Sequence, residues 1–171
     1  MVRLVSGGGA DDPELAGVAA EVAEQLQLEE VEFWQRRMVS LVEHCATRAH
    51  DAAHLVVLCA RVLALSLRNS GYVTTCPVVV TTGGATSRVD PFLVACDMVF
   101  IRWQEALRAQ FRGAGLDAER AASLASVAVA IFQGALIISR TALNTDPLEI
   151  AGVELADLVR AELSGGSVVP C

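Results

Sequence analysis

Lysine is missing from this chain, and all thirteen of its cationic side chains are arginine. That absence reads as codon usage rather than chemistry. It does leave the glycine runs Gly7-Gly8-Gly9 and Gly83-Gly84 without the lysine that a phosphate cradle uses. Positive charge is scarce altogether: 20 acidic residues outnumber the arginines, for a formal net charge of −7 and an isoelectric point near 4.9. Domains that read a duplex carry a basic face, so no direct nucleic-acid binding is expected of this chain. Five cysteines (Cys45, Cys59, Cys76, Cys96, Cys171) are an odd number with no CxxC pair. Residues 1–9 are too short and glycine-rich for a secretory signal, so reduced thiols in a cytoplasm are expected. His50 and His54 are four apart, as on one helix face, but His44, Glu43 and Asp51 supply no third ligand at a convincing spacing, and no metal is expected. No nucleophile with a base, phosphate loop or carboxylate pair is found, and no cofactor is expected.

Apolar residues, by contrast, are in surplus. They make up 53% of the chain and the mean hydropathy is +0.47, more than a soluble monomer ordinarily hides in its own core. A chain of 171 residues fits one domain and buries about two-thirds of its unfolded surface. The excess calls for a partner or a membrane. Residues 121–139 are uncharged and long enough to span a bilayer, yet they include Ser123, Ser126, Gln133 and Ser139 and have no aromatic belt or basic flank. A helix buried between subunits is the preferred reading, with no membrane partner.

Three Asp-Pro pairs, Asp12-Pro13, Asp90-Pro91 and Asp146-Pro147, each precede a helical pattern. Aspartate caps orphan amides and proline suits the first turn. Glu149 lies three residues after Asp146, which adds a capping-box spacing. Asp117 is expected to cap a further helix after Gly113-Ala114-Gly115. The first region, residues 13 to about 47, carries two apolar stripes: Leu15, Val18, Val22, Leu26 and then Val31, Trp34, Met38, Leu41, Cys45. They are out of phase across residues 27–30, which predicts a kink or two helices meeting. Residues 51–69 are almost wholly apolar except His54, Arg61 and Arg68 at every seventh position, so other helices should surround this one, with Gly71 ending it. Local propensity makes Val78-Val79-Val80 a short strand and Gly83-Gly84 a loop. Helices follow over 91–112, 118–143 and 147–163. The predicted organisation is an N-terminal segment 1–12, a domain 13–163 and a flexible tail 164–171.

Residues 100–155 resemble the C-terminal domain of TetR-type regulators, in particular the subgroup with a Gly-Cys-Pro segment. The resemblance rests on Phe100-Ile101-Arg102-Trp103, Gly115-Leu116, Gln133-Gly134-Ala135-Leu136, Ser139-Arg140 and Asp146-Pro147-Leu148. Upstream, Cys76-Pro77-Val78 matches the Cys-Pro step with Thr75 in place of glycine. Gly8-Gly9-Ala10-Asp11 with Glu14-Leu15 looks like the start of the first helix after the DNA-binding segment. On that placement the helix-turn-helix would lie before Met1, absent by nature or trimmed away.

The resemblance implies an all-α bundle around a pocket, dimerising through a four-helix bundle made by the last two long helices. Val127, Ala130, Ile131, Gly134, Ile138 and Leu155 are the expected interface residues, since small residues let helices approach and apolar ones fill the contact. An interface of that kind typically buries about 2,000 Å² or more. The ligand-binding candidates are Trp34, Met38, His54, Arg61, Phe100, Trp103, Phe132 and Gln133, each weighed against a place in the core or on a solvated face. Gln133 stands out because an amide inside an apolar helix needs a partner, which a dimer mate could also supply. Asp97 and Gln104 share a helix face. The expected function is a cytoplasmic, ligand-binding homodimer for a hydrophobic small molecule, possessing no DNA reader of its own, in transcriptional regulation. Two other readings stand beside it. One is an enzyme in a repurposed pocket, with His54, Asp97 and Gln133 as weak catalytic candidates. The other is a heterodimer partner that disarms a full-length TetR-type repressor.

Overall fold

A computed structural model of the chain describes residues 13–73 and 91–165, and side chains within 25–73 and 93–165 apart from 26–28. Among the described residues there are five helices and no strand: α1 Pro13–Ala46, α2 Ala52–Asn69, α3 Pro91–Gly113, α4 Ala118–Ala142 and α5 Asp146–Leu163. The all-α expectation holds. The expected strand and loop at Val78-Val79-Val80 and Gly83-Gly84, and the Cys76-Pro77-Val78 step, lie outside the described residues, as do Asp12, Asp90, segment 1–12 and most of the tail.

Local chemistry accounts for the helix ends. Asp51 takes an extended backbone and its carboxylate accepts from the His54 amide at 2.6 Å. Asp117 does the same for the amides of Glu119 and Arg120, satisfying donors that a first turn leaves orphaned. Gly71 follows α2 with φ +63°, a left-handed conformation that costs glycine nothing. The start of α5 departs from expectation: the cap is Thr145, without a side-chain cap bond, and Asp146 and Pro147 already belong to the first turn. Asn144 holds Asp146 instead, its Oδ1 accepting from the Asp146 amide at 3.0 Å and its Nδ2 donating to Asp146 Oδ2 at 2.8 Å. Thr145 is 2% exposed because its hydroxyl is otherwise engaged, accepting from Arg68 Nη2 at 2.6 Å. The α4–α5 turn is thereby tied to the end of α2. Of the kink or two helices expected near residues 27–30, two helices are not what forms; α1 is one helix of 34 residues. The apolar stripe from Val31 onward is long enough to hold that half in the core without the upstream stripe sharing its phase.

The helices pair as α2 against α5 and α1 against α3, with α4 lying between α3 and α5. Trp103, Phe111 and Phe132 are fully buried, joined by Leu55, Leu107, Leu124 and Leu155. The Trp103 and Phe132 rings stack at 5.9 Å between centroids with an interplanar angle of 8°, locking α3 to α4. By length and composition α2 and α4 are apolar enough to cross a membrane, but 50% of the α2 window and 39% of the α4 window are buried inside the bundle.

Arg120 at the start of α4 grips Glu162 at the end of α5, Nε to Oε2 at 2.7 Å and Nη2 to Oε1 alongside, so these helices run antiparallel. The guanidinium holds the Glu162 carboxyl below the ordinary carboxylate value of 4.5. A carboxyl whose folded value is depressed stabilises the fold above its unfolded value, and that contribution is lost as pH falls through the folded one. Glu162→Gln is therefore expected to melt below the wild type at neutral pH, with the gap narrowing and closing as the pH drops below the carboxylate range. Melting curves taken from pH 7 to pH 3 test this, and a gap that is constant with pH would show that the carboxylate charge is not what matters.

Candidate ligand-binding site

The second half of α1, the middle of α2 and Leu136 of α4 enclose a cleft of about 390 Å³, within the range of about 300–1,000 Å³ usual for small-molecule sites. Trp34, Met38, Leu41 and Cys45 recur at intervals of three and four, which stacks them on one face of α1. Leu63 and Leu67 from α2 face them and Leu136 completes the wall. The resulting surface is largely apolar, suited to an apolar guest.

Polar groups edge it. Arg37, Ser40 and His44 come from α1, Arg48 from the turn that follows it and Ser66 from α2. Arg37 Nη2 donates to Ser66 Oγ at 2.9 Å, and its guanidinium carbon lies 5.7 Å from the Trp34 ring centroid, within cation–π range. Arg48 Nη1 donates to the His44 carbonyl at 3.0 Å. His44 Nδ1 stands 2.8 Å from the Ser40 carbonyl oxygen and 3.1 Å from Ser40 Oγ. Cys45 borders the cleft and pairs with Cys59 of α2, neither being disulfide-bonded. The Cys59 thiol donates to the Cys45 sulfur and brings Cys45 down to about 7, with Arg48 and His44 assisting against burial. Cys59, fully buried, is pushed up in turn.

Of the eight ligand-binding candidates read from the sequence, Trp34 and Met38 line this cleft and the other six do not. His54 sits at the start of α2, its ring stacked on His50 at 4.0 Å between centroids. Arg61 is exposed beside Arg68 and Glu149 in a shallow groove. Phe100 is half-buried against the core, and Trp103 and Phe132 are inside it. The Gln133 amide is shielded with neither its nitrogen nor its oxygen bonded, and the Trp103 indole N–H likewise has no acceptor among the described residues. Asp97 is exposed, and Gln104 accepts from Ser126 Oγ at 3.1 Å. The residues that sequence reading missed are Arg37, Arg48 and Ser66, together with His44, considered there only as a metal ligand. The one available signal was the row Arg37, Leu41, His44, Arg48 at helical spacing.

Among the expected interface residues, Val127 and Ile138 are 40% and 56% exposed, Ala130 is exposed and Ile131 half-buried. A β-carbon added at Gly134 would meet nothing within the subunit, so the backbone there is open to close approach. Leu155 is the exception: at 1% exposure it is inside the subunit, because the face of α5 that carries it packs on α2. The exposed large apolar residues of α5 are Ile150, Val153 and Leu163, at 61%, 50% and 37%.

Comparison with known proteins agrees with this architecture. Residues 45–154 match the family model described as the transcriptional regulator LmrA/YxaF-like, C-terminal domain. Two similar proteins, from two strains of Mycobacterium tuberculosis, are described as uncharacterized HTH-type transcriptional regulators; each is 30% identical over 76 residues, covering 44% of this chain. The match spans 39% of each relative's length, well under half. An all-α architecture among the described residues and a family match over most of the chain lead to one assignment: the chain belongs to the LmrA/YxaF-like C-terminal domain family of TetR-type transcriptional regulators.

Proposed function

We propose that residues 13–163 form a ligand-binding and dimerising regulatory unit, flanked by short segments 1–12 and 164–171, which acts in the cytoplasm by holding a hydrophobic small molecule and does not itself touch DNA. The α1–α2–α4 cleft is the ligand site, and subunits pair as homodimers through α4 and α5. The observation that carries this reading is the coexistence of two separate apolar surfaces: a walled cleft of ligand size, and an outward face on α4 and α5 with Val127, Ile137, Ile138, Ile150 and Val153 all at least 40% exposed. The first suits a small guest, the second a flat helical partner.

Titration with Nile red, a neutral apolar dye, tests the cleft. Saturable fluorescence enhancement at one dye per subunit is expected, and Val62→Trp should weaken it by about tenfold, since the indole would fill part of a site of this size. Val62 lines the cleft and is 44% exposed, so the substitution leaves the core alone. Enhancement that is unsaturable, or unchanged in Val62→Trp with its helical circular dichroism intact, would refute a ligand site here.

A further inference from the structure

We infer that the cleft's natural occupant is an amphiphile with an apolar body and an anionic, carboxylate-type head, and that Arg37 and Arg48 hold the head at the α1 edge. This rests on the cleft being the ligand site proposed above. The chain has 20 acidic residues against 13 arginines, yet no acidic side chain lines the cleft while Arg37, His44 and Arg48 all do. Arg37 and His44, seven apart, share a face of α1, and Arg48 in the turn after it joins them along the same edge of the cleft. The wall's ionisable character is thus opposite in sign to the molecule's net charge.

The state of the two guanidiniums supports the same conclusion. Five arginines of the described residues sit on carboxylates: Arg36 on Glu32, Arg68 on Glu149, Arg102 on Glu105, Arg120 on Glu162 and Arg160 on Asp157. Arg37 and Arg48 are not among them, and of the described arginines without a carboxylate partner they are the two that line the cleft. Each is instead steadied by neutral groups, Arg37 by Ser66 and the Trp34 ring, Arg48 by the His44 carbonyl and Thr47 Oγ1. Those contacts use a minority of the five N–H donors a guanidinium offers. The rest can take a carboxylate through two parallel bonds, the geometry in which arginine is strongest. With the head on that edge, an alkyl or ring body lies along Trp34, Met38, Leu63 and Leu136. A neutral guest forgoes the charged bonds, and a cationic one is repelled.

Calorimetric titration of the full chain with decanoate, 1-decanol and decyltrimethylammonium, all below their aggregation concentrations, tests the inference. Decanoate is expected to bind about tenfold or more tightly than decanol, with the cation weakest. Arg37→Gln and Arg48→Gln should each weaken decanoate by about tenfold, as loss of a charge-assisted bond does, and leave decanol unchanged. Arg112→Gln, an exposed arginine in the last turn of α3 outside the cleft, should change neither. Equal affinity for decanoate and decanol would overturn the anionic head and leave the ligand cleft standing. A decanoate preference equally reduced by Arg112→Gln would also overturn it, by showing a response to net charge alone. Failure of every probe, Nile red included, would overturn both readings.

Discussion

Valine in place of Gly152 is expected to destabilise the fold by about 3 kcal/mol, lowering Tm by about 6–12 °C. Gly152 is buried where α5 crosses α2, and a β-carbon added there would lie 2.5 Å from the Ala60 β-carbon and 3.6 Å from the Val57 α-carbon. The opposing atom belongs to an alanine, which has no flexible end to swing aside, so one helix must shift. That shift would disturb the most extensive helix pairing in the subunit, α2 with α5. Alanine at 152 should cost less, because removing a mid-helix glycine itself gains about 1 kcal/mol. Combining Gly152→Ala with Ala60→Gly should recover part of the loss, since the pair restores one β-carbon at the crossing. Thermal melts of Gly152→Ala, of Ala60→Gly and of the two combined give the coupling. A Tm for Gly152→Ala above that of the wild type would mean that the helices are not in close contact there.

Glutamate in place of Ile138 is expected to convert the proposed homodimer to monomers at micromolar concentration. A two-fold interface receives every substitution twice, and an unpaired charge in a buried contact costs several kcal/mol. Dissociation should therefore increase on the order of a thousandfold. Ile138 is 56% exposed in the isolated subunit, so the substitution asks nothing of the subunit's own core, and circular dichroism should be unchanged. Sedimentation equilibrium reads the result directly. A wild-type monomer, or a dimer indifferent to Ile138→Glu and Ala130→Glu together, would remove α4 from the interface.

How much of this was legible beforehand depended on whether the determining contact is local. Caps are local: Asp117 sits next to the amides it serves, so composition alone located the start of α4. The α5 start shows where that ends, because Asn144 can bond Asp146 and Thr145 is drawn to Arg68, 77 residues away, moving the cap by one position. Faces are less local still. Leu155 was expected between subunits and lies inside one; which apolar face of α5 meets α2 and which stays outside follows from the close approach at Gly152, a tertiary fact. The same holds for the cleft. Trp34 and Met38 were legible as large side chains on the α1 stripe, whereas Trp103 and Phe132, equally large, are taken up by stacking on each other. Arg37 and Arg48 look like ordinary surface cations until the carboxylates around them are placed.

The unbroken length of α1 has a mechanical consequence. At 1.5 Å per residue its 34 residues extend about 51 Å, and the cleft wall begins at Trp34, leaving about 30 Å of helix projecting toward Pro13. Rotating that rod by about 5° at the cleft would carry its far end through about 3 Å, the width of an atom and more. Any tilt produced by a guest beside Trp34 would thus arrive at the opposite end as a displacement of contact-breaking size, carried along one continuous helix.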